Sequence, residues 1–207
     1  MVISSDEMTG IQALEQIAEE LPMSQGKPVA IEFEYKRHGT QTLIAGFNVR
    51  TGQVHGICGD TRKEEDFTSF IEKTVESNPN YKKYHFVLDQ LNTHKSESLV
   101  RLVAKHIGDK QNLGIKGKEG ILESMKTREA YLMNPEHPIL FHYTPKHCSW
   151  LNQIEIWFGI LMKKVIKRGN FSSKEDLREK ILRFIDYFNQ TLAKPFTWTY
   201  RAKPLLV

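Results

Sequence analysis

The sequence predicts an α/β fold in which helices pack on a mixed β-sheet. Several short segments in the first 60 residues alternate apolar and polar side chains, as half-buried strands do. A mostly apolar segment at 84–91 is typical of a strand that is buried on both faces of a sheet. Other segments repeat apolar residues every three or four positions, which indicates amphipathic helices.

Most of the predicted strands lie early in the chain. Residues 2–5 predict a short strand that ends at Asp6. Residues 10–28 predict a short helical or irregular stretch that Pro and Gly close. An antiparallel meander of three strands is predicted next, with strands at 29–37, 42–49 and 54–59 and turns at His38-Gly39 and 50–53.

Helices and two further strands follow the meander. A helix at 63–77 stops at Asn78-Pro79, because proline breaks helices. Its apolar face is predicted to hold Phe67, Phe70, Ile71 and Val75. After the strand at 84–91 come a helix at 96–107, which turns Leu99, Leu102 and Val103 inward, and a short strand at 139–144.

Two helices are predicted in the last third of the chain. The first runs from about Trp150 to Arg168 and stops at Gly169. Its buried face is expected to hold Trp150, Ile154, Trp157, Leu161 and Val165. The second starts at Ser172, with Glu175 at the spacing of a capping box, and its core stripe is Leu177, Ile181, Phe184, Ile185 and Phe188.

We expect residues 1–207 to form a single domain. Residues 107–138 are rich in glycine and charge, and we expect them to be an insertion with one short helix around 119–133. The order of strands and helices matches a ribonuclease-H-like mixed sheet of three antiparallel strands plus parallel strands. The pattern by itself also suits several other α/β folds.

Composition and charge indicate the cellular compartment and the kind of binding partner. The apolar runs are too short to cross a bilayer, the first residues lack a signal-peptide layout, and two cysteines favour a reducing cytoplasm. Residues 142–207 hold 12 Lys and Arg against 5 Asp and Glu, a net +7 against +4 for the whole chain. A basic C-terminal third favours a polyanion such as nucleic acid, and a solvated helix face is the simpler alternative.

Three carboxylates are predicted to lie at positions that would suit a catalytic site. Asp6 and Asp89 would project from one sheet edge if their strands are parallel neighbours, and Glu155 could reach that edge from its helix. Clustered carboxylates need a cation, and oxygen-only ligands suit Mg²⁺ or Mn²⁺. Each acid also has a structural alternative: a strand-end cap, a turn residue or a helix-edge side chain.

Several long motifs carry a family resemblance. DEMTGIQALE, EFEYKRHGTQTLIAGFNVRTG, VLDQLNTHKS, YTPKHCSWLNQIEIWF, KRGNFSSKEDL and FNQTLAKPFTWTY occur in this order. Together they resemble the catalytic domain of DDE transposases, in the bacterial insertion-sequence branch related to the mariner superfamily. The resemblance covers nearly the whole chain apart from residues 107–138.

The resemblance implies a ribonuclease-H-like transposase whose triad is Asp6, Asp89 and Glu155. Two Mg²⁺ or Mn²⁺ ions would bind these acids and assist phosphodiester hydrolysis at the element's ends, followed by strand transfer into target DNA. Supporting or DNA-contacting roles are expected for Asn92, His94, Lys146, His147, Trp150 and Asn152, and phosphate contacts for Lys163, Lys164, Lys167 and Arg168. For His94 a capping or packing role is the alternative, and for the basic residues a solvated helix end.

Two departures from the family pattern qualify this expectation. We expect this chain to lack the helix-turn-helix module that usually precedes the catalytic domain. Either a separate subunit or an upstream frame supplies the module, or the chain is a truncated copy. Asp89 and Glu155 are 66 residues apart, which is long because of residues 107–138. We expect a homo-oligomer on DNA, in the nucleoid and without a membrane partner. The alternatives are an inactive remnant that only binds DNA or a partner transposase, and a related nuclease with another substrate.

Overall fold

A five-stranded mixed sheet with helices on both faces organises the molecule. The structure is a computed structural model that describes residues 1–18, 21–28, 34–146 and 148–197. The strands are β1 (Val2–Gln16), β2 (Tyr35–Asn48), β3 (Val54–Gly59), β4 (Tyr84–Leu88) and β5 (Ile139–Tyr143), and their order across the sheet is β3-β2-β1-β4-β5. The first three pair antiparallel, whereas β4 lies parallel to both β1 and β5. The predicted mixed sheet is therefore present.

In the part of the chain that the structure describes, five α-helices cover the sheet. They are α1 (Glu64–Glu76), α2 (Glu97–Ile107), α3 (Met125–Leu132), α4 (Ile154–Leu161) and α5 (Lys174–Thr191). Within the described ranges, none of the helices is long and apolar enough to span a bilayer.

The strands divide their apolar side chains between two cores because successive side chains point to opposite faces. Ile44 packs with Phe67, Phe86 and Phe141 in the core beneath α1, α2 and α3. Its neighbours Leu43 and Ala45 pack with Trp157 in the core beneath α4 and α5. The two faces of β2 thus hold the two helical layers together.

The long hairpin of β1 and β2 differs from the predicted one. β1 does not end at Asp6 but continues to Gln16, and residues 11–16 form strand rather than helix or irregular chain. β2 likewise runs through His38 and Gly39, where a turn was predicted. Pairing between the two strands, with bulges after Met8 and Gln12, extends both of them. Residues 29–33 of the predicted strand at 29–37 lie outside the described residues.

The C-terminal helices also begin later than predicted. A short 3-10 turn occupies Ser149–Leu151, the backbone is extended at Asn152, and α4 starts only at Ile154. Trp150 therefore leaves the apolar face and is 48% exposed, while Ile154, Trp157 and Leu161 are buried as predicted. A π-helical turn at Met162–Ile166 follows α4. The N-cap of α5 is Ser173, not Ser172, and its side chain accepts the Asp176 N–H at 3.0 Å.

The segment 107–138 supplies part of the first core. Its helix is α3, shorter than the predicted 119–133. Leu122 and Leu132 are fully buried in the core beneath α1 and α2. Arg128 is buried too, and its guanidinium donates to the carbonyls of Lys95 and Leu122 at 2.7 and 2.9 Å. These contacts bind the segment to the short helical turn that follows β4.

Candidate active site

Asp6 and Asp89 lie beside each other where the parallel pairing of β1 and β4 ends. Ser4 pairs with Val87 in the register of these strands. Two residues further on, the same register brings Asp6 next to Asp89, on the sheet face that Ser4 and Val87 share. β4 stops at Leu88, whereas β1 continues because β2 still pairs with it. The predicted parallel neighbourhood of the two strands is confirmed.

The carboxylate of Asp6 lies in a poorly hydrated environment. The residue is 7% exposed. Its Oδ1 accepts the Glu7 N–H at 2.8 Å, and its Oδ2 lies 3.4 Å from the Asn152 amide nitrogen. Burial, with repulsion from Asp89 adding to it, raises the pKa of Asp6 to about 7, although the Glu7 N–H opposes the shift. A negative charge on Asp6 is therefore costly without a nearby cation.

Asp89 is held by hydrogen bonds to one of its oxygens. Oδ1 accepts the Leu91 N–H at 2.9 Å and lies 2.8 Å from His94 Nδ1. The His94 hydrogen bond is the main reason that the pKa of Asp89 is lowered. Asp89 is thus the acid that stays ionised beside Asp6, which is the one that resists ionisation.

His94 is buried between two carboxylates. Its Nδ1 faces Asp89, and its Nε2 lies 3.2 Å from both carboxylate oxygens of Glu7. Burial alone would lower the pKa of His94, but the hydrogen bonds to Asp89 and Glu7 raise it to about 9. The ring is therefore a buried hydrogen-bonded group, and no part of it faces solvent.

Glu155 approaches the two aspartates from the start of α4. The side chain of Asn152 is fully buried: its Oδ1 accepts the Ser4 hydroxyl, and its Nδ2 donates to the Ser5 carbonyl at 2.8 Å. The Ile154 N–H donates in turn to the Ser4 hydroxyl at 3.0 Å. These bonds fix the beginning of α4 on β1. Glu155 itself is exposed, and partial burial and the charge of Asp89 raise its pKa.

The remaining predicted residues fall into two groups. Asn152 and His94 are buried next to the aspartates and support the backbone or the carboxylates there. Asn92, Lys146 and Trp150 are exposed, and His147 lies outside the described residues. All four predicted basic residues beyond α4 are exposed: Lys163, Lys164, Lys167 and Arg168.

Sequence reasoning missed Glu7 and Ser4. The Glu7 side chain is only 2% exposed, and it points away from Asp6 because it follows directly in the strand. A carboxylate and an imidazole that are both predicted near strand ends were available as a signal for Glu7 and His94. Ser4 offered no signal, since a small polar residue in a short strand has many possible partners.

The donor set at this edge suits hard divalent cations. Asp6, Asp89 and Glu155 offer oxygen atoms only, which Mg²⁺ and Mn²⁺ prefer. The raised pKa of Asp6 fits such a site, because a cation between the acids would relieve their repulsion. Within the described residues, however, no group of three or more His, Cys, Asp or Glu side chains is already arranged to hold a metal ion. Of the three predicted acids, the sheet itself brings Asp6 and Asp89 together.

Comparisons with known proteins bear on this site. A family model described as DDE superfamily endonuclease matches residues 1–178. None of the curated proteins compared with the chain matches it. A solved structure of the Mos1 transposase paired-end complex with left transposon end gives a TM-score of 0.53 at 10% identity, covering 89% of this chain and 47% of that one. This likeness confirms the predicted ribonuclease-H-like fold.

A second solved structure, of the Mos1 mariner paired-end complex with Mn, covers 95% of this chain and 56% of that one. It is 12% identical, with a TM-score of 0.34. The chain therefore spans about half the length of the Mos1 chains that it matches.

Proposed function

The chain belongs to the DDE superfamily of endonucleases, as its motifs predicted, and we propose that it is the catalytic domain of a DNA transposase. In this proposal it hydrolyses phosphodiester bonds at the ends of a mobile element and transfers the strand into target DNA. Asp6, Asp89 and Glu155 are the proposed ligands of two Mg²⁺ or Mn²⁺ ions.

One observation carries the proposal: Asp6, which is buried, and Asp89, which is partly exposed, lie together at the carboxyl end of β4, where its parallel pairing with β1 stops. Sheets of this kind bind ligands at that end. Nothing about folding requires two acids there, and burying Asp6 beside a second negative charge is unfavourable. A site that tolerates this cost is a candidate for function.

The three acids have distinct proposed tasks. Asp6 and Asp89 hold their carboxylates at fixed positions in the sheet, and Glu155 completes the site from the first turn of α4. When bound by these acids, two divalent ions would supply activation of a nucleophile and would neutralise charge on the scissile phosphate. The buried hydrogen bonds of the Asn152 side chain and of the Ile154 N–H hold the start of α4 against β1, and this keeps Glu155 near the two aspartates.

The exposed basic residues after α4 are the proposed contacts to DNA phosphates. Lys163 and Lys164 lie in the π-helical turn, and Lys167 and Arg168 follow it. Such contacts release counterions, so the affinity for DNA depends on salt. We expect Lys163→Ala to lower the slope of log affinity against log salt by about 1. Lys82→Ala, an exposed lysine before β4 at the opposite end of the sheet, is the matched control and should leave the slope unchanged.

Cleavage of DNA that carries the element ends tests the central proposal. We expect cleavage with Mn²⁺, none with EDTA, and a loss of at least about 1,000-fold in Asp89→Asn, as metal-assisted phosphoryl transfer requires its ligands. Activity that Asp89→Asn leaves unchanged contradicts the mechanism. DNA binding with no cleavage under any metal favours the inactive remnant instead.

The full reaction also needs partners. We propose that a helix-turn-helix module recognises the element ends and that the active species is a homo-oligomer on chromosomal DNA in the nucleoid. Light scattering of the protein with and without end DNA tests the oligomer: a mass that stays at one chain per DNA contradicts it.

A further inference from the structure

Glu7 and His94 form a buried pair behind the proposed site. Neither residue is among the proposed metal ligands. Glu7 is next to Asp6 in the sequence but points to the opposite face of the sheet, into the layer beneath α1. There its two carboxylate oxygens lie 3.2 Å from His94 Nε2. His94 links Glu7 to Asp89, because its Nδ1 is 2.8 Å from Asp89 Oδ1.

Every side of the His94 residue is fixed. The ring packs on Phe67, with 4.4 Å between ring centroids. The backbone carbonyl accepts the Tyr143 hydroxyl at 2.8 Å. Both ring nitrogens face carboxylate oxygens, and toward ionised carboxylates, which only accept hydrogen bonds, each nitrogen donates. A ring held in this way cannot rotate without losing at least one buried bond.

The consequence for Asp89 is that its two oxygens are not equivalent. Oδ1 already takes two hydrogen bonds, from the Leu91 N–H and from His94. Within the described part of the chain, Oδ2 accepts none, and the side chain is 29% exposed. The carboxylate is therefore turned so that one oxygen is structural and the other is available.

We propose that Glu7 is a positioning residue: through His94 it fixes the carboxylate of Asp89 so that Oδ2 alone faces the cation. This inference rests on the proposed metal-binding function and adds a residue to it. Groups that orient the ligands of a metal typically change its affinity by about 10–100-fold when they are removed. Glu7 acts without touching the cation.

Titration of the full chain with Mn²⁺, followed by the electron paramagnetic resonance signal of the free ion, tests the inference without DNA or activity. Glu7→Met removes the acceptor at nearly constant size, and we expect it to weaken Mn²⁺ binding about tenfold. Glu7→Gln keeps an oxygen that can accept from His94 Nε2, so it should restore most of the affinity. Thr74→Val is the control, because it loses a buried hydrogen bond to the Phe70 carbonyl far from the site.

The possible outcomes distinguish the positioning role of Glu7 from the proposed metal-binding function. Wild-type affinity in folded Glu7→Met overturns the positioning role but leaves the proposed function standing. A wild-type protein that binds no Mn²⁺ overturns the proposed function itself. If Glu7→Met does not fold, nuclear magnetic resonance of ¹⁵N-histidine-labelled wild type decides: slowly exchanging protons on both ring nitrogens of His94 support the role, and their absence contradicts it.

Discussion

Asp6 and Glu155 reach the same edge of the sheet in very different ways. Asp6 is buried in the middle of a long strand. Its Oδ1 accepts the Glu7 N–H, and its Oδ2 lies 3.4 Å from the Asn152 amide nitrogen. Glu155 lies exposed on the first turn of a helix that only begins one residue earlier. The sheet thus fixes one acid through the fold itself, whereas the other depends on how one helix is anchored.

This difference shows which of the two acids lowers the stability of the fold. Desolvation opposes the charge of Asp6, so folding is expected to be weakened by that residue. Glu155 keeps contact with water and should cost folding little. Trp157 anchors α4 in the core beneath the helix, and Asn152 anchors its start on β1. These contacts connect the helix that carries Glu155 to the strand that carries Asp6. Four substitutions separate these contributions.

The largest effect is expected when α4 loses its buried anchor. Trp157 is fully buried among Phe158, Phe184 and Phe188, so Trp157→Ala should lower the free energy of unfolding by about 3–5 kcal/mol. Trp150→Ala, with the same change on a side chain that is 48% exposed, is the control and should cost far less. Urea denaturation measures both. Equal losses would show that Trp150 also packs into the fold.

The next effect concerns the side anchor. Asn152→Ala removes the partner of the Ser4 hydroxyl and of the Ser5 carbonyl in a buried place. Leaving such groups unsatisfied should cost roughly 3 kcal/mol. Asn92→Ala, at an exposed asparagine in the turn after β4, should change stability by less than about 0.5 kcal/mol. A small loss in Asn152→Ala would mean that water replaces the amide and that α4 is anchored by apolar packing alone.

A smaller effect, which depends on pH, is expected at Asp6. Because the folded pKa is raised to about 7 from an unfolded value of 3.8, the carboxylate destabilises the fold increasingly as pH rises through this window. Asp6→Asn carries no charge to desolvate. In EDTA its advantage over wild type should therefore grow by roughly 2 kcal/mol between pH 5 and pH 8.

Denaturation at the two pH values measures this advantage. A difference between Asp6→Asn and wild type that does not change with pH contradicts the raised pKa. Added Mn²⁺ sharpens the experiment, since a cation at the acids should stabilise the wild type at pH 8 and leave the variant unaffected.

Much of the fold was predictable because its patterns are local. The buried faces of α1 and α2 follow from the spacing of Phe67, Phe70 and Leu99, and all three are buried. The extension of β1 was not predictable in this way. Residues 11–16 contain Ala, Leu, Glu and Gln, which favour helix, and only pairing with a distant strand makes them extended. The late start of α4 has the same cause, because Asn152 bonds to β1 and interrupts the helical repeat.

The candidate site was predictable to a similar extent. Predicted strand-end positions and a family motif selected Asp6 and Asp89, although β1 continues past Asp6. The register of β1 and β4 brings the two acids together. Glu7 was not selected, because its neighbour Asp6 already accounted for the acidic motif. Its partner His94 is 87 positions away, and only the folded sheet brings the two side chains within 3.2 Å.

The smallest change in stability is expected at Glu155, where the comparison with Asp6 is most direct. The side chain is exposed, so Glu155→Gln should alter the free energy of unfolding by less than about 0.5 kcal/mol at pH 8. Burial and the charge of Asp89 raise the pKa of Glu155, so any change should be a gain in stability, since removing the charge relieves repulsion. Cleavage of end DNA by Glu155→Gln should nevertheless fall as far as in Asp89→Asn, because the third ligand is lost. A variant that is as stable as wild type but inactive would therefore separate the two acids: Asp6 costs stability before any cation binds, whereas Glu155 matters only once the cation is there. Full activity in Glu155→Gln would remove it from the site and leave the two aspartates with another partner.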